Sequence, residues 1–186
     1  MKQINQFINE YIIKKKLDNP IDSEDHYKYF PENKLELSKI IKDLLKDNQT
    51  DLNVIDVSKI TNMSDLFSQI NENKKITNID ISEWDVSNVT NMKHMFFDCE
   101  NFNCDLSKWN VSKVENMSSM FYKCKNFNCD LSKWNVSNVF DINDMFYDCI
   151  KFNCDLSMWD IGKVYRRFGT FHNCTSLKNK PIWYQE

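Results

Sequence analysis

Seven cysteines are the first residues whose type and spacing could do chemistry. They are separated alternately by five and twenty residues: Cys99, Cys104, Cys124, Cys129, Cys149, Cys154 and Cys174. Zinc sites normally use cysteine pairs with two intervening residues, so this spacing is a poor metal signature. Cys104 lies five residues before Trp109, and Ile79 holds the same place before Trp84. A cysteine that replaces isoleucine is interpreted as a buried, reduced thiol, with a partial disulfide set or a metal site as the alternatives.

Carboxylates and amides form a second group with chemical potential. One aspartate precedes each tryptophan, with an asparagine two residues before it and a serine two residues after it. The positions are Asp80, Asp105, Asp130 and Asp155, with Asn103, Asn128 and Asn153 before the last three. Like charges on neighbouring strands repel, and Lys108 and Lys133 are close enough to compensate. The row is either a hydrated ladder that supports turns or an acidic stripe that binds a basic partner. Calcium bridging is a third alternative, although no recognised calcium loop is present.

The sequence contains no recognisable catalytic arrangement. His26, His94 and His172 share no spacing with a serine or cysteine nucleophile. Paired catalytic carboxylates, zinc-protease motifs and nucleophile elbows are missing. Only two glycines occur, which excludes a glycine-rich phosphate loop. The sequence therefore predicts a protein that is not an enzyme and that carries no cofactor or metal.

One variable position could determine specificity. It holds Thr90, Glu115, Phe140 and Tyr165 at successive intervals of 25 residues, and Arg166 follows the last of these. Aromatic and arginine side chains are enriched at binding hot spots. Phe140, Tyr165 and Arg166 are therefore candidate partner-binding residues, and the alternative is that they close the C-terminal end.

A 25-residue repeat positions all of these groups. Trp84, Trp109, Trp134 and Trp159 begin copies two to five. A divergent first copy begins at Ile55 and carries four extra residues around residues 69–75. A fixed period of this length indicates stacked units that bury one another's apolar faces. The recurring tryptophans and Met-Phe pairs are accordingly predicted to form the core.

Local patterns within a copy predict two elements. Apolar residues three and four apart, from Val86 to Cys99, predict a short helix or 3₁₀ segment, and the alternation over residues 102–107 predicts a short parallel strand. The predicted fold is an α/β repeat: a leucine-rich-repeat-like solenoid of about five copies with an N-terminal helical cap. The predicted boundaries are 1–54 for the cap, 55–183 for the solenoid and 184–186 for a tail.

The cap is predicted to contain two helices. Apolar residues at helical spacing over residues 4–12 predict the first. The second is predicted to begin after Pro31. Its inward residues are predicted to be Leu35, Leu37, Ile40, Ile41, Leu44 and Leu45.

The repeated segment resembles a known family. The motif F-N-C-D-L-S-K-W-N-V-S-x-V-x-x-M-x-x-M-F-Y-x-C is similar to the BspA-type leucine-rich repeat, a surface-lipoprotein repeat of bacteria and some protists. The resemblance spans roughly residues 52–183. It implies a protein-binding surface protein or adhesin.

Charge and hydropathy restrict the partners. A formal net charge of -3 does not favour nucleic acid, and no apolar stretch is long enough for a membrane span. The N-terminal residues lack signal-peptide features, which predicts a cytoplasmic protein; a surface or secreted location is the alternative if an export leader was removed.

The sequence thus predicts a monomeric, non-enzymatic protein-interaction module. One role is that of a mobile-element or pathogen protein that binds and blocks a target protein, and the alternative is an adhesin-type domain. The aspartate-bearing strand face is the favoured surface, with the aromatic cluster as a lateral anchor.

Overall fold

A computed structural model describes residues 26–70 and 76–184. Within these residues one helix, α1, spans Lys34–Lys46. Asn33 caps its N-terminus by accepting a hydrogen bond from the backbone N–H of Glu36 at 3.1 Å. After Asp47, Asn48 adopts a φ of 56°, and this left-handed residue ends the helix. The helix predicted after Pro31 is confirmed, whereas the helix predicted over residues 4–12 lies outside the described residues.

Helix α1 buries one face against the first repeat copy. Leu37, Ile40, Ile41 and Leu44 are buried, but Leu35 is 81% exposed. The prediction that Leu35 points inward was wrong. Two residues along an α-helix are rotated by roughly 200°, so Leu35 and Leu37 cannot share a face.

The predicted strand-plus-helix repeat is wrong. Within the described part of the chain, the copies contain neither a helix nor a strand longer than a single bridge, and no sheet forms. The six isolated bridges are all parallel: Tyr29 with Ile55, Asp51 with Asp80, Asn62 with Asn91, Asn91 with Asn116, Asn116 with Asp141, and Asp141 with Arg166. The chain is a stack of turn-rich copies, which we call the repeat stack, and not a leucine-rich-repeat-like solenoid.

The segment predicted as a short helix contains the main hydrogen bonds between copies. In copy two, the N–H groups of Met92, His94, Phe96 and Asp98 donate to carbonyls of copy three at 2.8–2.9 Å. His94 and Asp98 have φ angles of 55° and 59°. Left-handed residues cannot continue a right-handed α-helix. The apolar residues of this segment are therefore spaced three and four apart because successive turns bring them to the core, and the segment is not a helix.

The segment predicted as a strand alternates buried and exposed side chains, but it forms no β-ladder with its neighbours. Asn103 and Asp105 are exposed, whereas Phe102, Cys104 and Leu106 are buried. Side chains replace the backbone acceptors that a strand would use. The N–H of Leu106 bonds Cys129 Sγ at 3.1 Å, and the N–H of Asn128 bonds Asn103 Oδ1 at 3.0 Å.

Copies one to four each turn at three Asx turns, in which an Asp or Asn side chain accepts a backbone N–H two residues later. In copy three, the carboxylate or amide oxygens of Asn110, Asn116 and Asp130 accept from Ser112, Ser118 and Ser132 at 2.9–3.2 Å, and copies two and four show the same three turns. Aspartate and asparagine favour such turns because their short side chains mimic a backbone carbonyl. This use of Asp and Asn explains how a chain with two glycines can turn so often.

Columns of stacked aromatic rings fill the core. Phe67, Phe96, Phe121, Phe146 and Phe171 follow one another with ring centroids 5.1–5.7 Å apart. The tryptophans lie beside them and donate across copies, as Trp134 Nε1 does to the carbonyl of Leu106 at 3.0 Å. The tryptophans of copies two to five are each 4% exposed, so their prediction as core residues is confirmed.

Candidate protein-binding surfaces

The structure brings the predicted aspartates and asparagines together in two grooves on one face. Asn103, Asp105, Asn128 and Asp130 line a groove of about 630 Å³ with Lys108 and Lys133. A second groove of about 360 Å³ continues the row to Asn153 and Asp155. Asp80 occupies the equivalent exposed place in the preceding copy. The sequence therefore identified a surface row, here called the aspartate row.

Each aspartate of this row already supports a turn. Asp105 and Asp130 accept the backbone N–H of Ser107 and Ser132 at 2.9 Å. These backbone hydrogen bonds hold the pKa of both carboxyls below the usual value, with smaller contributions from the serine hydroxyls. The row stays ionised at neutral pH and presents a negative strip, with the lysines as its counter-charges.

The asparagines of the aspartate row hold adjacent copies together. Asn103 Oδ1 accepts from the N–H of Asn128 at 3.0 Å, and Asn128 Oδ1 accepts from the N–H of Asn153 at 2.9 Å. Asn153 Oδ1 accepts in turn from the N–H of Lys178 at 3.0 Å. Asn103, Asn128 and Asn153 therefore have a structural role, although all three are exposed.

The cysteines form two buried columns. All seven are free thiols in the structure. In the inner column, the thiol of Cys149 donates to the carbonyl of Phe121 at 2.9 Å. In the outer column, Cys129 Sγ lies 3.5 Å from Asp105 Oδ1, and burial raises its pKa to about 12. The prediction that the thiols are buried is confirmed. Among the described residues, no group of three or more histidines, cysteines and carboxylates could hold a metal ion.

The predicted cluster of Phe140, Tyr165 and Arg166 is assembled in space. The rings of Phe140 and Tyr165 stack with centroids 5.6 Å apart and planes inclined by 10°. Arg166 Nε lies 3.3 Å from Oδ2 of the buried Asp141. Tyr165 is 75% exposed, so it presents most of its surface to solvent.

Sequence reasoning missed further apolar residues near this cluster in the chain. Six large apolar residues are exposed in the described residues, and five of them follow residue 149: Ile150, Met158, Tyr165, Phe168 and Ile182. Ile150, Met158 and Phe168 stand where the earlier copies have polar residues. Phe168 takes the place of Lys93, Ser118 and Asn143, and Met158 that of Lys108 and Lys133. Comparing exposed positions copy by copy would have found them.

An outer aromatic row was also missed. Phe97, Tyr122, Tyr147 and His172 stack at centroid distances of 4.5–4.7 Å. The first three are half-buried and His172 is exposed. Because the rings stack on one another, only their edges and the outer side of His172 are open to a partner.

The family of the chain follows from its sequence over these same copies. Two overlapping segments, residues 35–132 and 69–184, match the family described as "Mycoplasma protein of unknown function, DUF285". The matched residues cover well over half of the chain. The chain belongs to this DUF285 family. No curated protein and no solved structure matches it. The family membership confirms a repeat family, and it leaves the predicted leucine-rich-repeat character without support.

The backbone hydrogen bonds that join successive copies end differently in the first and in the fifth copy. At the first copy, Lys34 Nζ bonds the carbonyl of Ser64 at 3.0 Å. At the fifth copy, the N–H groups of Arg167 and Gly169 occupy the places of the donors Ile142 and Asp144, and no described residue accepts from them. The first end is closed by a cation, and the last end is open.

No helix of the described residues has the length and hydrophobicity that a membrane crossing requires.

Proposed function

We propose that this chain is a non-enzymatic protein-binding module whose binding surface is the C-terminal end of the repeat stack. We define this surface, the terminal surface, by Tyr165, Arg166, Phe168 and their neighbours in copy five. The observation that carries the proposal is the change of exposed residue type along the stack. Positions that are polar in the interior copies become aromatic or aliphatic in the last copies, and exposed apolar surface of this kind is typical of a protein interface.

The terminal surface has the composition of a binding hot spot. Tyr165 and Phe168 are 75% and 84% exposed. Arg166 stands beside Tyr165, and its partner Asp141 is buried and orients its guanidinium. Tyrosine and arginine are the residues over-represented among those that dominate binding energy. Neither exposed ring fills space in the core, so the fold does not explain their apolar character.

The aspartate row is the second candidate surface. Its ionised carboxylates would attract a basic partner and raise the association rate. Against it, the turns and the contacts between copies already explain the recurrence of Asp and Asn at these positions. We therefore place the main contact at the terminal surface and give the aspartate row a steering role.

Two settings agree with this function. In the first, the chain acts inside a cell and blocks a target protein, as an inhibitor or effector does. In the second, which the BspA-type resemblance suggests, it is an adhesin-type domain at a cell surface. The two settings differ in the partner and its location, whereas the terminal surface would be the same.

A capture experiment tests the proposal. The full chain is immobilised and exposed to a lysate and to a membrane extract of cells that produce it, and bound proteins are quantified by mass spectrometry. A Tyr165→Ser, Phe168→Ser variant should lose the specific partner. Leu35→Ser is the matched control, because it also removes one exposed apolar side chain, from α1. Equal capture by the double variant and the wild type would overturn the proposal.

A further inference from the structure

Along residues 92–98 and their equivalents, the backbone hydrogen bonds that join successive copies point in one direction. In copies one to four, alternate residues donate their N–H groups to the following copy, for example Met117 to Asp141 and Ser119 to Asn143. Next to this segment, N–H groups of the following copy donate in the opposite sense, as Glu115 does to the carbonyl of Thr90 and Asn126 to that of Glu100. Within this segment the peptide dipoles therefore align along the stack, with the positive end at copy five.

This row of hydrogen bonds ends differently at copy one and at copy five. The negative end receives a cation, because Lys34 Nζ bonds both the carbonyl and the hydroxyl of Ser64, at 3.0 and 3.2 Å. The positive end of this segment presents N–H groups. Arg167 and Gly169 are half-exposed, and no described residue accepts from their N–H groups. Phe171, the next donor position, is buried under Trp183 and Tyr184.

Backbone conformation makes the open end a natural anion site. Gly169 has a φ of 65°. The N–H of Phe168 donates backward to Asn143 Oδ1 at 2.9 Å, so the donors at the open end are the N–H groups of Arg167 and Gly169. Backbone N–H groups form charge-assisted hydrogen bonds with anionic oxygens. Asp65, His94, Ser119 and Asp144 hold the equivalent place in the four earlier copies, so only the open end lacks a side chain there.

The side chains around the open end add positive charge. Residues 161–184 contain five lysines and arginines and no aspartate or glutamate, and both arginines of the chain are among them. Arg166 pairs with Asp141, whereas Arg167 has no ion pair with a described residue. The nearest carboxylate, Asp144, lies one copy behind, where it fills the space that a side chain at Gly169 would occupy.

We infer that the open end binds an acidic polypeptide segment, and this inference rests on the proposed function. Carboxylate oxygens of the segment accept from the N–H groups of Arg167 and Gly169 and pair with the Arg167 guanidinium. Apolar side chains of the segment lie on Tyr165 and Phe168. A carboxylate fits because it accepts without donating, whereas an ordinary extended strand would place its own N–H groups against this edge.

A second copy of this chain is a poor occupant. It would have to offer the carbonyl edge of its first copy, and α1 with Lys34 already covers that edge at Ser64. An acidic segment needs no such rearrangement.

Nuclear magnetic resonance can read the N–H groups directly. The chain has two glycines, so the amide signal of Gly169 is readily assigned, and Gly162 is the internal control. The N–H of Gly162 already bonds Asp160 Oδ1 at 3.0 Å. The full ¹⁵N-labelled chain is titrated with a peptide of alternating glutamate and aromatic residues, with its glutamine counterpart, and with single-stranded oligothymidylate.

The inference predicts that the glutamate peptide shifts the Gly169 and Arg167 signals and leaves Gly162 in place. The glutamine peptide should bind at least about tenfold more weakly, and Arg167→Gln should weaken the glutamate peptide by several-fold, whereas Lys108→Gln should not. Equal binding of the two peptides, no shift at Gly169, or no binding at all would overturn the inference. A Gly169 shift with oligothymidylate in place of the peptide would replace it with nucleic-acid binding.

The two proposals can fail separately. If Tyr165→Ser with Phe168→Ser abolishes capture of a protein but the acidic peptide leaves Gly169 unshifted, the proposed function stands and this inference is wrong. If the peptide shifts Gly169 but capture is unchanged by the double variant, the terminal surface is not where the native partner binds.

Discussion

Arg166 Nε lies 3.3 Å from Oδ2 of Asp141, whose side chain is only 5% exposed. The two residues also form the last parallel bridge of the stack. In copies two and three, the same position holds Asn91 and Asn116. A charged pair thus replaces an amide pair at the junction of copies four and five. It fixes Arg166 and the adjacent Tyr165 in place.

Removing one member of this pair should destabilise the junction. Arg166→Ala leaves the buried Asp141 carboxylate without its cation, and we expect a loss of about 1–3 kcal/mol in the free energy of unfolding, since Arg166 itself is half-exposed. Asp141→Asn restores the residue type of the earlier copies, so the double variant should recover part of the loss. Urea unfolding of both single variants and the double variant gives the coupling energy. Simple additivity of the two losses would show that the pair has no energetic role.

Truncation of an interior tryptophan should destabilise several copies together. Trp134 is buried and its Nε1 bonds the carbonyl of Leu106. Trp134→Ala should cost roughly 3–5 kcal/mol. Trp134→Phe keeps most of the packing and removes one of two hydrogen bonds to that carbonyl, which also accepts the N–H of Trp109 at 3.1 Å, so it should cost about 0.5–1.5 kcal/mol. Both values can be measured by chemical denaturation. A nearly silent Trp134→Ala would contradict the core assignment.

Alkaline pH should destabilise the folded chain through its thiols. Burial raises the pKa of Cys129 from 9.0 to about 12 and that of Cys154 to about 11. The thiols are neutral when protonated, so the unfolded chain loses their protons first. Their contribution is complete below about pH 9 and is lost as the pH rises toward 11–12. The stability of a Cys129→Ala, Cys154→Ala variant should fall less steeply above pH 9, as denaturation midpoints would show. Parallel slopes would exclude this origin.

The left-handed backbone positions give a prediction about glycine. Lys123 has a φ of 59°, where alanine costs roughly 1–2 kcal/mol but glycine does not. Lys123→Gly should therefore be more stable than Lys123→Ala, although both lose the same side-chain contacts. Lys133 is the control, since its φ is not positive, and there the glycine variant should be the weaker one. Thermal unfolding of the four variants measures both differences. The same order at both positions would contradict the left-handed conformation at Lys123.

The period and the core could be predicted from the sequence, because apolar residues that recur in every copy mark the positions where copies pack on one another. The burial of Trp134 and Cys129 and the exposure of Asp105 follow from their repetition at 25 residues. Secondary structure could not be predicted in this way. Spacings of three and four residues fit both a helix and the left-handed turns at His94 and Asp98. Asparagine and aspartate tolerate such backbone, and their frequency at these positions was the available signal.

The candidate site was predicted in part. The cluster of Phe140, Tyr165 and Arg166 was found because it breaks the repeat. Phe168 was missed, although it stands where the other copies have Lys93, Ser118 and Asn143. The sequence could not predict which end of the stack leaves N–H groups without a partner copy, because this depends on which N–H groups face the next copy.

The affinity of the captured partner for three versions of the chain tests the location of the binding surface most directly. The versions are the wild type, the Tyr165→Ala, Phe168→Ala variant, and an Asp105→Asn, Asp130→Asn, Asp155→Asn variant that retains its Asx turns. Calorimetric titration at low and high salt should show at least about a tenfold loss for the aromatic variant at both. The asparagine variant should weaken binding mainly at low salt. If the aromatic variant binds normally and the asparagine variant does not, the partner binds the aspartate row and the terminal surface is not the site.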